Sequence, residues 1–134
     1  MQHLLEHPNG TRNYKIAPVS SSASNRANQA IGLAIASQRP VLCVLGMAAL
    51  GQGSFFEALN IVAEKKLPVL FVVITRDLSS APLAQQFNYD LAALCSSFGL
   101  AHEKLSSKST NIQPLITEYR AKNIAAVFEI SLEK

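Results

Sequence analysis

The chain has 134 residues, within the usual size of one domain and enough to bury a sizeable core without disulfides. Hydrophobic residues make up 49% and charged residues 16%, which excludes an intrinsically disordered chain and implies uncharged surface packed against partners, hence a homo-oligomer or another subunit. The net charge is +3, but the twelve basic residues are scattered from Arg12 to Lys134 with no stripe of interleaved aromatics, which argues against nucleic acid as a partner.

The first segment, 1–19, is polar, with Pro8-Asn9-Gly10 as a turn signal, and reads as an N-terminal arm. It lacks the basic start and apolar run of a signal peptide, and no apolar run reaches membrane-spanning length, so a cytoplasmic protein with no membrane partner is expected. Residues 20–134 read as a single domain. Ala27, Ala30, Ile31, Ala34 and Ile35 recur at helical spacing, predicting a helix that ends near Gln38, ahead of Pro40. Val41 to Leu45 is a short apolar run between Pro40 and Gly46, as expected of a parallel, central strand buried on both faces.

A second helix is expected to open on Ser54-Phe55-Phe56-Glu57, read as a capping box, and to stop around Lys65-Lys66, where cations suit the helix dipole. Val69 to Ile74 then supplies another apolar strand and completes a β-α-β unit. Leu91, Leu94, Cys95 and Phe98 mark a third helix closed by Gly99. Ile112, Leu115, Ile116 and Tyr119 mark a fourth, opened by Thr110 with Gln113 three residues on, and Ile124 to Ile130 forms the last strand. Alternating helices and buried strands define the fold class: α/β, a three-layer, open, mostly parallel sheet with helices on both faces.

In such sheets ligands bind beyond the carboxyl ends of the strands, here 46–53 and 75–80. Gly46, Gly51 and Gly53 lie between a strand and a helix start, where backbone N–H groups and the dipole can hold a phosphate; the alternative is that they only permit a tight turn. The loop is neither a P-loop with its lysine nor G-x-G-x-x-G. Cys43 and Cys95, with no C-x-x-C spacing, read as buried thiols in a reducing compartment. His3, His7 and His102 are too dispersed for a metal set and read as surface residues.

The segment Gly46-Met47-Ala48-Ala49-Leu50-Gly51-Gln52-Gly53-Ser54-Phe55-Phe56-Glu57-Ala58-Leu59-Asn60, followed by Lys66-Leu67-Pro68 and a strand, resembles the alpha subunits of thiamine-diphosphate-dependent 2-oxo acid dehydrogenases and, more distantly, transketolases. Ala30 to Ala36 resembles that family's A-x-G-x-A-x-A helix, and Asp90 to Leu100 its D-x-A-x-x-A-x-x-F-G-I element, so the resemblance spans Ser22 to Leu105 in order. It implies a thiamine-diphosphate-binding-like fold, with the cofactor's diphosphate on Gly46, Met47, Ala48, Ala49, Gly51, Gly53, Arg76 and Asp77.

The family binds Mg²⁺ through an Asp and an Asn, whose positions here hold Met47 and Arg76. A thioether and a guanidinium do not suit that cation. Arg76 is expected either to neutralise phosphate oxygens directly, with Asp77 holding it, or to form a solvated pair with Asp77 at the strand end. Glu57 is assigned to the helix cap rather than to catalysis, and Asn60 to packing or an interface hydrogen bond. Catalysis of the family's kind also needs a pyrimidine-binding domain, for which the chain has no room.

Three functions follow as expectations: a degenerate, non-catalytic relative of the dehydrogenase alpha subunits; the diphosphate-binding half of a split enzyme completed by a pyrimidine-domain partner; or a phosphate or nucleotide binder using the same loop.

Overall fold

The computed structural model describes residues 22, 25–76 and 88–132. The expected arm, 1–19, and Asp77 lie outside the described residues. Helix α1 spans Asn25–Ser37 and buries Ala27, Ala30, Ile31 and Ala34, the stripe read from its spacing. Strand β1, Val41–Gly46, leads into a 3-10 turn at Met47–Ala49 and then helix α2, Gly53–Lys65. Strand β2, Val69–Thr75, is buried along nearly its whole length. Helix α3, Leu91–Ser97, strand β3, Ala101–Ser106, helix α4, Ile112–Lys122, and strand β4, Ala126–Ser131, complete the order.

The four strands form one all-parallel sheet in the order β1-β2-β4-β3. One face carries Cys43, Leu45, Val69, Phe71, Val73 and Val127 and is closed by α1, α2 and α3, whose Phe55, Leu59, Val62, Leu91 and Cys95 join the same cluster. The other face carries Leu70, Val72, Ala126, Phe128 and Ile130, against which α4 lays Ile112, Leu115, Ile116 and Tyr119. The expected three-layer arrangement is therefore present.

Three helices end alike. Lys66 (φ 50°), Gly99 (φ 70°) and Asn123 (φ 55°) adopt the left-handed conformation, and the next residue donates back across the last turn: Leu67 N–H to Val62 O, Leu100 to Cys95, Ile124 to Tyr119. The stop expected at Gly99 falls in place.

Other expectations need correction. Helix α2 begins at Gly53 with Gln52 at its N-cap and no side-chain cap hydrogen bond, so Ser54 is already inside the helix and does not form a capping box with Glu57. Helix α4 follows Asn111, again without a side-chain cap, so the Thr110 and Gln113 pairing is absent as well. In both, the helix is held by what its apolar face packs against rather than by its first turn. Asn60 is exposed, which removes the packing role. Strand β3 was not foreseen, and it adds a fourth strand to the three expected. Strand β1 is not central and buried on both faces but an edge strand with Leu42 and Val44 exposed, because among the described residues no helix covers them on that side.

Candidate functional site

The register between β1 and β2 sets Gly46 beside Ile74, so the turn that follows Gly46 and residues Thr75 and Arg76 emerge at the same end of the sheet. Thr75 is buried; its hydroxyl donates to Ile130 O at 3.4 Å, and its carbonyl accepts from Leu132 N–H at 2.8 Å. Both bonds tie the end of β2 to the end of β4 and leave Arg76 exposed just past it.

The loop floor is apolar and closed. Met47 is 5% exposed, and Ala49 and Leu50 are fully buried. Its carbonyls are taken up by local turn bonds: Met47 O accepts from Leu50 N–H, Ala49 O from Gln52 N–H, and Gln52 O from Phe55 N–H. Leu50 O accepts from the Tyr89 hydroxyl at 2.7 Å, and the Tyr89 ring meets Phe56 edge to face at 5.2 Å.

Its upper surface is open. Gly46, Gly51 and Gly53 are exposed, and a methyl group built on Gly46 or Gly53 would meet no atom within 4 Å. None of the three has a positive φ, and Gly46 sits at φ −87°, ψ 164°, an extended conformation any residue adopts. The turn therefore does not require glycine at these positions, and the tight-turn alternative loses its reason. What the glycines supply is bare backbone at the start of a 13-residue helix whose first turn carries no side-chain cap, an arrangement suited to an oxyanion.

Of the residues expected at the site, Gly46, Ala48, Gly51 and Gly53 line the accessible side of the loop, Met47 and Ala49 form its buried floor, and Arg76 stands at the neighbouring strand end. Magnesium does not fit this donor set. A buried thioether is a soft, weak donor, the adjoining side chain is a guanidinium, and among the described residues no three His, Cys, Asp or Glu side chains gather into a metal-holding group. A diphosphate fits better, because backbone amides and an arginine both donate to phosphate oxygens.

Elsewhere, Cys43 and Cys95 are free and buried, and burial pushes each thiol up to about 11, with the carboxylates of Glu129 and then Asp90 adding to the effect at Cys95. Both are inert at neutral pH. His102 is not a surface residue: its side chain is 12% exposed, and Nε2 lies 3.3 Å from Glu129 Oε2, although the contact is not aligned as a hydrogen bond. Glu129 also pairs with Lys104 at 3.1 Å. The position of His102 on β3, beside Val127 of β4, explains its burial; without β3 in view, the sequence had no way to place it.

No family profile and no curated protein matches the chain. Solved structures do. The fold is thiamin-diphosphate-binding-like, an open parallel α/β sheet of the kind found in transketolase. Transketolase from Campylobacter jejuni subsp. jejuni NCTC 11168 superposes with a TM-score of 0.68 at 16% identity over 82% of this chain and 20% of its own. A protein from Mycobacterium smegmatis, assigned as a thiamin diphosphate-dependent enzyme, gives a TM-score of 0.63 at 20% identity over 81% of this chain and 22% of its own. The chain thus spans about a fifth of the length of the structures it matches. Among the described residues no helix is long and apolar enough to cross a membrane.

Proposed function

We propose that this chain is a diphosphate-binding domain related to the alpha subunits of thiamine-diphosphate-dependent 2-oxo acid dehydrogenases, that it takes up the diphosphate of thiamine diphosphate without Mg²⁺, and that it is not catalytic on its own. The observation that carries the reading is the loop at the end of β1, with its carbonyls occupied by hydrogen bonds, a buried floor of Met47, Ala49 and Leu50, and open-faced glycines above, at the uncapped start of α2. Arg76 supplies the positive charge that a cation supplies elsewhere, and Met47 fills the carboxylate position with a core side chain. The two buried, free thiols suit a reducing compartment such as the cytoplasm.

Isothermal calorimetry with thiamine diphosphate and with inorganic pyrophosphate, each with and without Mg²⁺, tests this. Both ligands should bind, Mg²⁺ should not strengthen either, and at a hundredfold excess over Kd the fold should gain about 2.7 kcal/mol. Arg76→Ala should abolish most of the affinity. Tight binding that requires Mg²⁺, or no binding of either ligand, would sink the proposal.

A second reading is favoured by the share of each neighbour that the chain spans: the domain is one half of a split 2-oxo acid dehydrogenase or carboligase, and the other half, a pyrimidine-binding subunit, is its partner. Its test is whether adding such a subunit creates activity on a 2-oxo acid. A homo-oligomer with no activity under those conditions leaves the first reading standing.

A further inference from the structure

The loop contains a β-turn whose central peptide has two orientations open to it. Gln52 N–H donates to Ala49 O at 3.1 Å, closing a four-residue turn with Leu50 and Gly51 at its centre. Leu50 has φ −64° and ψ −27°, and Gly51 has no positive φ, so the turn is of type I. A type II turn keeps the same ends and reverses only the Leu50–Gly51 peptide, at the cost of a positive φ at the third residue. Glycine adopts that freely. Local sterics at Gly51 therefore do little to choose between the two, although the choice decides where the Gly51 N–H points.

Tyr89 bears on that choice. Its hydroxyl, 39 residues away in sequence, donates to Leu50 O at 2.7 Å, and its ring is braced edge to face on Phe56 at an interplanar angle of 61°. Burial, and secondarily Cys95, pushes the phenol upward, so the hydroxyl keeps its proton at neutral pH. In a planar trans peptide the C=O and the N–H point in opposite directions. A hydroxyl that holds Leu50 O against the protein thereby turns the Gly51 N–H away from it, and Gly51 is exposed.

We propose that Tyr89 is a positioning residue that locks the Leu50–Gly51 peptide in the type I orientation and so presents the Gly51 amide to the oxyanion bound by the loop. The second half of this rests on the diphosphate reading above; the first half does not. The bond also links the loop to the residues just before α3, so the lock couples the end of β1 to the segment entering that helix.

The experiment uses the full chain as wild type, Tyr89→Phe, Gly51→Ala and the double variant, with amide NMR of residue 51 in the free protein and a titration with inorganic pyrophosphate. Tyr89→Phe keeps the ring for Phe56 and removes the hydroxyl that donates to Leu50 O. The Gly51 amide signal should then split or broaden, and pyrophosphate affinity should fall about three- to tenfold, the worth of one net hydrogen bond. Alanine at position 51 penalises the positive φ of the alternative turn, so adding Gly51→Ala to Tyr89→Phe should collapse the split or broadened residue-51 amide signal of the free protein back to a single sharp one.

A Gly51 signal and an affinity both unaltered in Tyr89→Phe overturn the lock. So does a double variant whose residue-51 amide signal stays split or broadened, since the second conformer would then not be the turn with positive φ at position 51. If wild type fails to bind pyrophosphate, the diphosphate reading falls, and the amide signal of the free protein alone decides the lock.

Discussion

The two faces of the sheet are built to different standards. On one, three helices close over β1, β2 and β4; α2 alone contributes Phe55, Ala58, Leu59 and Val62 as buried residues. On the other, α4 has no buried residue, and Leu42 and Val44 of β1, which face the same way as Leu70 and Val72, are 48% and 51% exposed. The loop after β1 grows out of the well-packed face: its floor residues Ala49 and Leu50 belong to that cluster. Close packing below the loop is what allows its upper surface to be bare backbone and still hold one shape.

The largest effect should come from emptying the thick face. Leu59→Ala, in a fully buried site, should cost about 2–5 kcal/mol, whereas Leu115→Ala in α4, half-buried, should cost about 1 kcal/mol, judged by the area each side chain removes from water. Urea unfolding at constant m-value measures both. Equal losses would mean that α4 is seated as firmly as α2, and the contrast between the faces would not hold.

How far this architecture could be read from the sequence depends on the same contrast. Helices α1 and α2 and strands β1 and β2 follow from apolar spacing because the face they build is continuous and apolar. Strand β3 has the sequence Ala-His-Glu-Lys-Leu-Ser, and its charges hide it: Glu103 turns to α4, while Lys104 and His102 meet Glu129 on the opposite face. An edge strand is allowed such residues, and the clue available was its bracketing by the Gly99 helix stop and the polar run Ser106 to Thr110.

At the site, the glycines and Arg76 were legible by position after strands. Met47 could be seen to lack a carboxylate, but not to be floor rather than lining. Tyr89 was invisible, because nothing local marks a residue that acts on a carbonyl 39 positions earlier. The two helix caps were misread because Ser or Thr with Glu or Gln three residues on is a pattern that packing can override by shifting the helix start.

The next effect is on pH dependence and comes first from the thick face, where both thiols lie. Each moves from 9.0 to about 11 on folding. The fold therefore binds protons more tightly than the unfolded chain, so the stability they contribute is complete below 9.0 and disappears as the pH rises through about 11. On the other face Tyr119, raised to about 12 by burial and by its bond to Glu103, adds a smaller effect at the upper edge of that range. Urea midpoints on either side of the window should fall with rising pH, and the slope should shrink in a Cys43→Ala, Cys95→Ala double variant. A slope that is unchanged would mean the thiols are hydrated in the native state and the face is looser than described.

The smallest effects separate α4's attachment to the sheet from its own helical stability. The Tyr119 hydroxyl donates to Glu103 Oε1 at 2.8 Å, and its ring lies edge to face on Phe128 at 5.2 Å. Tyr119→Phe keeps the ring and should cost about 0.5–1 kcal/mol, the net worth of a partly solvated hydrogen bond. Lys122 pairs with Glu118 one turn earlier, both of them exposed, and Lys122→Ala should cost no more than about 0.3–0.5 kcal/mol, an effect that salt should erase. Both values come from the same unfolding curves, and their order matters more than their size. If Lys122→Ala cost more than Tyr119→Phe, α4 would be limited by its own helix formation and not by its grip on the sheet, and the thinness of that face would lie in the helix itself.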